Sequence, residues 1–212
     1  MRRPYRRGLV SLLLLLAFAA GPALAARPAA PLPDDMALGN AKAKVTVVEY
    51  ASASCPHCAR FNNSVFPDFR RKYVASGKVR YVFREFLTQP VEVAAAGFLL
   101  ARCAGKDRYF AVLDDFFHQQ DQIYSTGQLL PVIQAVGAKA GLSKPQIDAC
   151  LSDEAAINAL NARVQRYQQQ DGVHGTPTFV INGQTLPESD HEVNLADLDA
   201  ALAPLLKPAR GR

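Results

Sequence analysis

The chain has 212 residues, 49% of them apolar, and carries 24 basic against 19 acidic side chains for a net charge of +5. Four of those arginines (Arg2, Arg3, Arg6 and Arg7) precede an apolar run, Leu9 to Ala20, and an Ala23-Leu24-Ala25 cleavage site, so residues 1–25 read as a signal peptide. Without them the balance is 20 basic to 19 acidic, or +1, which removes the electrostatic argument for nucleic-acid binding.

The apolar run is shorter than the roughly 20 residues that span a bilayer. No cysteine follows the cleavage site for lipid attachment, and the arginine pairs do not complete a twin-arginine signal. The general secretory route is therefore expected. About 185 residues remain, a length that suits one domain with room for an insertion. Residues 26–37 carry three prolines among small residues and read as a flexible leader.

Val45-Thr46-Val47-Val48-Glu49-Tyr50 is β-branched and bounded by polar residues, as a strand should be. A helix is expected from the CxxC motif onward, with Phe61, Val65, Phe69 and Tyr73 on one stripe and a kink at Pro67. A second strand is expected from Val79 to Leu87, which makes a parallel βαβ unit. From Val91 to about Gln170 the periodicity is helical throughout, with Gly105, Gly127 and Gly141 at breaks and helix starts near Ser143 and Ser152. The β signal returns at Thr178-Phe179-Val180-Ile181, followed by Asn182-Gly183 and a short return strand. Asn-Gly between such runs is a hairpin signal, because a type I′ turn needs positive φ twice. A last helix, capped by Asn194, carries Leu195, Leu198, Leu202 and Leu205. The order predicts an α/β domain, residues 38–90 with 171–212, interrupted by a helical insertion at 91–170.

Cys55-Pro56-His57-Cys58 falls where the first strand ends and the first helix starts. Thiol chemistry needs the thiolate, and the free amides of a helix N-terminus stabilise it. Pro56 fits the first turn, where no donor is required. Cys55 should lie at the mouth of the turn and be accessible, and Cys58 one turn in and shielded. His57 should place a donor or partial positive charge beside the thiolate. Half a zinc site is the first alternative, but no second CxxC or spaced His pair accompanies it, so no metal is expected. An inert structural disulfide is the other, and the strand-end, helix-start context argues against it. A second element, Val173-His174-Gly175-Thr176-Pro177-Thr178, sets a proline at a strand's first residue. By base rate that bond would be trans. Cys103 and Cys150 fall in the helical block, where an oxidising compartment favours a structural disulfide over a second redox pair.

CxxC after a first strand, with a distant Thr-Pro-Thr before a hairpin, resembles the thioredoxin superfamily. The Pro-His dipeptide, the helical insertion and the signal peptide narrow the resemblance to DsbA-like thiol:disulfide interchange proteins over residues 37–206. The resemblance implies a thioredoxin fold with an inserted all-helical domain, and a cis Pro177 packed against the CxxC. It implies substrate pairing along Thr176 and Glu49 as a partly buried acid relaying the Cys58 proton; His174, three residues before Pro177, is expected to line that groove by its position. Judged from the strand alone, Glu49 fits a surface carboxylate on an edge strand equally well. Some DsbA-like proteins carry a bond such as Cys103–Cys150. Thr176 departs from the valine of the best-studied DsbA proteins and resembles the isomerase branch and several other DsbA-like proteins. That branch dimerises through an N-terminal domain for which residues 26–40 are too short, so a monomer is expected. The implied function is a periplasmic disulfide donor to secreted proteins, without bound cofactor, reoxidised by a DsbB-like quinone-linked membrane partner. The alternatives are a reductase or isomerase using the same cysteines, and a soft-metal-binding protein using Cys55, His57 and Cys58.

Overall fold

β-Branched and aromatic residues concentrate in two seven-residue strands, and these form the centre of the sheet. In a computed structural model of the chain, which describes residues 32–187 and 190–207, β2 (Val45–Ala51) and β3 (Val79–Glu85) pair in parallel. The sheet has the order β1-β3-β2-β4-β5, with β1 (Met36–Leu38) antiparallel on β3, and β4 (Thr178–Ile181) antiparallel on β2. β5 (Gln184–Thr185) closes the hairpin with β4. Asn182 at φ 48° and Gly183 at φ 84° make the turn, which is why that pair occupies it. β2 is the central strand and is covered on both faces.

The first helix is interrupted, as Pro67 requires. α1 (Pro56–Ser64) ends at Val65, α2 (Phe66–Phe69) begins with Pro67 in its first turn, and a π-helical turn (Arg70–Val74) leads into β3. Between β3 and β4 the chain forms α3 (Val91–Cys103), α4 (Tyr109–His118), α5 (Gln120–Thr126), α6 (Leu129–Lys139), α7 (Lys144–Leu151) and α8 (Glu154–Gln170). Ser143 caps α7 through a reciprocal capping box with Gln146, and Asp153, rather than Ser152, caps α8. α9 (Leu195–Leu206) starts from Asn194, whose side chain accepts from the amides of Ala196 and Asp197. Val47, Glu49 and Ala51 share one sheet face with Tyr81, Phe83 and Glu85. Phe66 of α2 packs on Tyr81, and Tyr109 of α4 on Phe83. On the opposite face Tyr167 of α8 meets the Tyr50 ring edge-on.

The leader is a correction. Residues 1–31, which include the expected signal peptide, lie outside the described residues, but residues 32–37, expected to be flexible, are folded. Met36 is buried against β3 in β1. Asp35 binds Arg84 at 3.0 Å and Asp34 binds Arg166 at 3.3 Å. Those arginines are far away in sequence, so local composition could not show that this segment has partners.

Cys103 at the end of α3 and Cys150 in α7 are bonded, with Cα atoms 5.9 Å apart across a separation of 47 residues. A crosslink of that span restricts the unfolded chain, and its loss should cost about 2–4 kcal/mol. Cys103→Ala with Cys150→Ala is therefore expected to lower the denaturation midpoint clearly while leaving the Cys55 thiol reactivity intact. A folded double mutant with a silenced Cys55 would show that the bond does more than hold two helices.

Candidate active site

The turn after β2 points both CxxC sulfurs inward. Cys55 is the N-cap residue of α1, in extended conformation, and accepts from the amide of Ala59 at 3.1 Å. Pro56 occupies the first helical turn. Cys55 and Cys58 are both free thiols. Cys58 is fully enclosed, while Cys55 is 7% exposed and hence less open than the sequence suggested. The covering comes from the loop before β4: the Thr176–Pro177 bond is cis, and the Cys55 thiol donates to the Thr176 carbonyl at 3.3 Å.

The two sulfurs are electrostatically unequal. Cys55 is lowered to about 5, first because the Cys58 thiol hydrogen-bonds to it, then through the Thr176 side chain and the amides of Cys58 and His57, against an opposing effect of burial. Cys58 is pushed well up by burial, by its bond to Cys55 and by the nearby charges of Cys55 and Glu49. One helix turn thus yields a thiolate at its mouth and a protonated thiol inside.

Glu49 lies on the central strand and is 3% exposed, which excludes the surface position. Burial raises its carboxyl to about 8, the charge of Cys55 adds to the rise, and a hydrogen bond from the Tyr81 hydroxyl at 2.5 Å opposes it.

His57 departs from expectation. Its imidazole is 57% exposed and sits with Nδ1 2.6 Å from Glu192 Oε1, so its backbone amide rather than its ring supports the thiolate. Arg60 Nη2 lies 2.9 Å from the same ring nitrogen. Arg60 also binds Glu192, with Nε 2.9 Å from both carboxylate oxygens. Arg60 and His57 together hold the Glu192 carboxyl down to about 2. Phe61, Thr176, Pro177 and Val193 complete a cleft of about 760 Å³ with His57 and Arg60 beside the cysteines. His174 is exposed and lines a separate groove of about 390 Å³ on the other flank of the Pro177 loop.

Several site residues carried no sequence signal. Gln120 of α5 is buried and donates to the carbonyls of Ala53 at 2.9 Å and Cys55 at 3.3 Å, tying the helical block to the active turn. Gly97 of α3 allows the close approach, since a Cβ there would stand 2.8 Å from the Ala53 Cβ. The Gln89–Pro90 bond is also cis. Arg84-Glu85 was the one visible hint, a charged pair at the end of an apolar strand. Both residues are buried.

Comparison with known proteins agrees with this geometry. A sequence model described as thioredoxin matches residues 32–203. A Rickettsia bellii protein named "Putative protein-disulfide oxidoreductase" is 33% identical over 171 residues, covering 80% of this chain and 65% of that one. Against a second such relative, from Rickettsia conorii, the chain spans 54% of the length. Disulfide bond formation protein D of Bacillus subtilis is 24% identical over 185 residues, covering 82% of this chain and 77% of that protein. The crystal structure of Wolbachia pipientis alpha-DsbA1 superposes with a TM-score of 0.73 at 26% identity, covering 83% of this chain and 92% of that one. With the CxxC at a helix start facing a cis-proline loop, and a helical block between β3 and β4, the chain belongs to the thioredoxin family, among its DsbA-like members.

Proposed function

We propose that this protein is an exported thiol:disulfide oxidoreductase that donates the Cys55–Cys58 disulfide to newly secreted proteins. The observation that carries the reading is the opposite displacement of the two thiols, Cys55 down to about 5 and Cys58 well up. In the oxidised protein a substrate thiolate attacks the Cys55 sulfur and the electron pair leaves on Cys58, giving a substrate–Cys55 mixed disulfide. A second substrate thiolate attacks the substrate sulfur of that bond, Cys55 departs as a stabilised thiolate, and the substrate leaves oxidised. The Thr176 carbonyl accepts from Cys55 only while that residue carries its thiol proton. Once Cys55 is in a disulfide, that carbonyl is open to an amide of an extended substrate, a single-strand addition beside the cleft. A signal peptide over residues 1–25 supplies the export, a monomer suffices for the chemistry, and a DsbB-like quinone-linked membrane protein serves as reoxidant.

Cys58→Ser should accumulate mixed disulfides with exported proteins, because the buried resolving thiol is gone, and Cys55→Ser should accumulate almost none. Non-reducing gels of cells expressing each variant check this. Trapping through Cys58 alone would overturn the assignment of roles. The threonine before Pro177 keeps a reductase or isomerase reading in view, and the steady-state redox form in the cell separates the two: oxidised for a donor, reduced for its rival.

A further inference from the structure

Beneath the exchanging sulfurs, Glu49 has one hydrogen-bond partner among the described residues, the hydroxyl of Tyr81. Cys55 and Cys58 face this carboxyl from the start of α1, and Tyr81 faces it from β3, with Tyr109 of α4 behind. On β4 its cross-strand neighbour is Phe179, which does not titrate. Tyr81 is itself buried among Phe66, Phe69 and Phe110, so its ring has little freedom to leave the carboxyl.

We propose that Tyr81 is a positioning residue for the exchange reaction, holding Glu49 and stabilising the carboxylate that forms when Glu49 gives its proton toward Cys58. The proposal rests on the exchange chemistry above and assigns the group that makes a buried acid usable. When substrate thiolate attacks Cys55, the Cys55–Cys58 bond breaks, its electron pair goes to Cys58, and the substrate thiol is oxidised as the disulfide is reduced. The new Cys58 thiolate lies in an enclosed site that disfavours charge, and it takes the Glu49 proton. The negative charge then rests on Glu49, which no cation contacts among the described residues, and the Tyr81 O–H is the donor aimed at it. Solvent returns the proton before the next cycle. Burial alone would hold the carboxyl too firmly protonated to give up its proton. A charge-assisted hydrogen bond to the ionised form offsets part of that penalty.

The test is the pH dependence of reduction of the oxidised full chain by a thiol peptide, quenched with an alkylating reagent between pH 6 and 10. Cys55 does not titrate in this form, and the peptide's ionisation is common to every variant. Tyr81→Phe should move the inflection belonging to Glu49 upward by about one pH unit, the size expected for a lost hydrogen bond to a buried carboxylate. In a Glu49→Gln background the same change should leave the profile untouched. 3-Fluorotyrosine at position 81 keeps the ring's shape and donates more strongly, so it should move the inflection downward even if the phenylalanine variant folds poorly. An inflection indifferent to both replacements, or an equal effect of Tyr81→Phe without Glu49, overturns the proposal. If the parent chain shows no Cys55-dependent exchange, the proposed function falls too, which distinguishes the two failures.

Discussion

At pH 8 the reduced protein should unfold at a higher denaturant concentration than the oxidised protein, and below about pH 6 the order should reverse. Two effects oppose each other. Closing the four-residue Cys55–Cys58 ring restricts the unfolded chain and favours the oxidised form by about 2 kcal/mol in the loop-entropy account. Against it stands the Cys55 thiolate, lowered to about 5 from an ordinary 9.0. A depressed acid contributes stability that is complete above its unfolded value and is lost as pH falls through its folded value, at about 1.4 kcal/mol per pH unit between them. The thiolate is therefore worth about 3 kcal/mol at pH 7 and about 4 at pH 8, enough to overcome ring closure, and nothing below pH 5. The crossing should fall between pH 6 and 7. Glu49, raised to about 8, has the opposite sign: it contributes stability below its ordinary value near 4.5 that fades as pH rises through 8. It is present in both redox forms and cancels to first order in their difference. The measurement is equilibrium unfolding of each form from pH 4 to 8, with Cys103 and Cys150 replaced so that one bond changes. An oxidised form that stays more stable at pH 8 would rule out the disulfide-donor reading and favour the reductase.

Glu85→Ala should be among the most destabilising single changes in the chain, at about 3–5 kcal/mol. Its carboxylate is fully enclosed and is met by Arg102 of α3 at 2.5 Å, Arg163 of α8 at 2.6 Å and the Tyr109 hydroxyl of α4 at 3.1 Å. Removing it leaves two guanidinium groups facing each other without a counter-charge, and the cost of an unpaired buried ion exceeds that of a lost contact. For a chain of this size the loss corresponds to a fall in Tm of roughly 10 °C. Replacing all three charges together, Glu85→Leu with Arg102→Met and Arg163→Met, should recover most of the stability, because apolar side chains of similar volume escape the desolvation penalty. Calorimetry on the single and triple variants decides the matter. A single variant within about 1 kcal/mol of the parent would mean that water reaches the cluster.

The elements that could be read from the sequence are those fixed by local chemistry. β-Branched runs gave β2, β3 and β4, Asn182-Gly183 gave the hairpin, and Ser143 and Asn194 announced their helices by the hydrogen bonds their side chains offer. The CxxC at a strand end was enough to locate the thiolate, since a helix start supplies its amides whatever surrounds it. What only the tertiary structure decided depends on residues far apart in the chain. Glu49 could be judged neither buried nor exposed until β4 was seen to pair on the far side of β2, making that strand central. His57 could not be known to turn toward Glu192, a partner 135 residues on, nor Asp34 and Asp35 to be held by Arg166 and Arg84. The same holds for Tyr81, which reads as one more aromatic in a strand. Its meaning comes from sharing a sheet face with Glu49 two residues out of register, where a phenol and a carboxyl are shut away together and must satisfy each other.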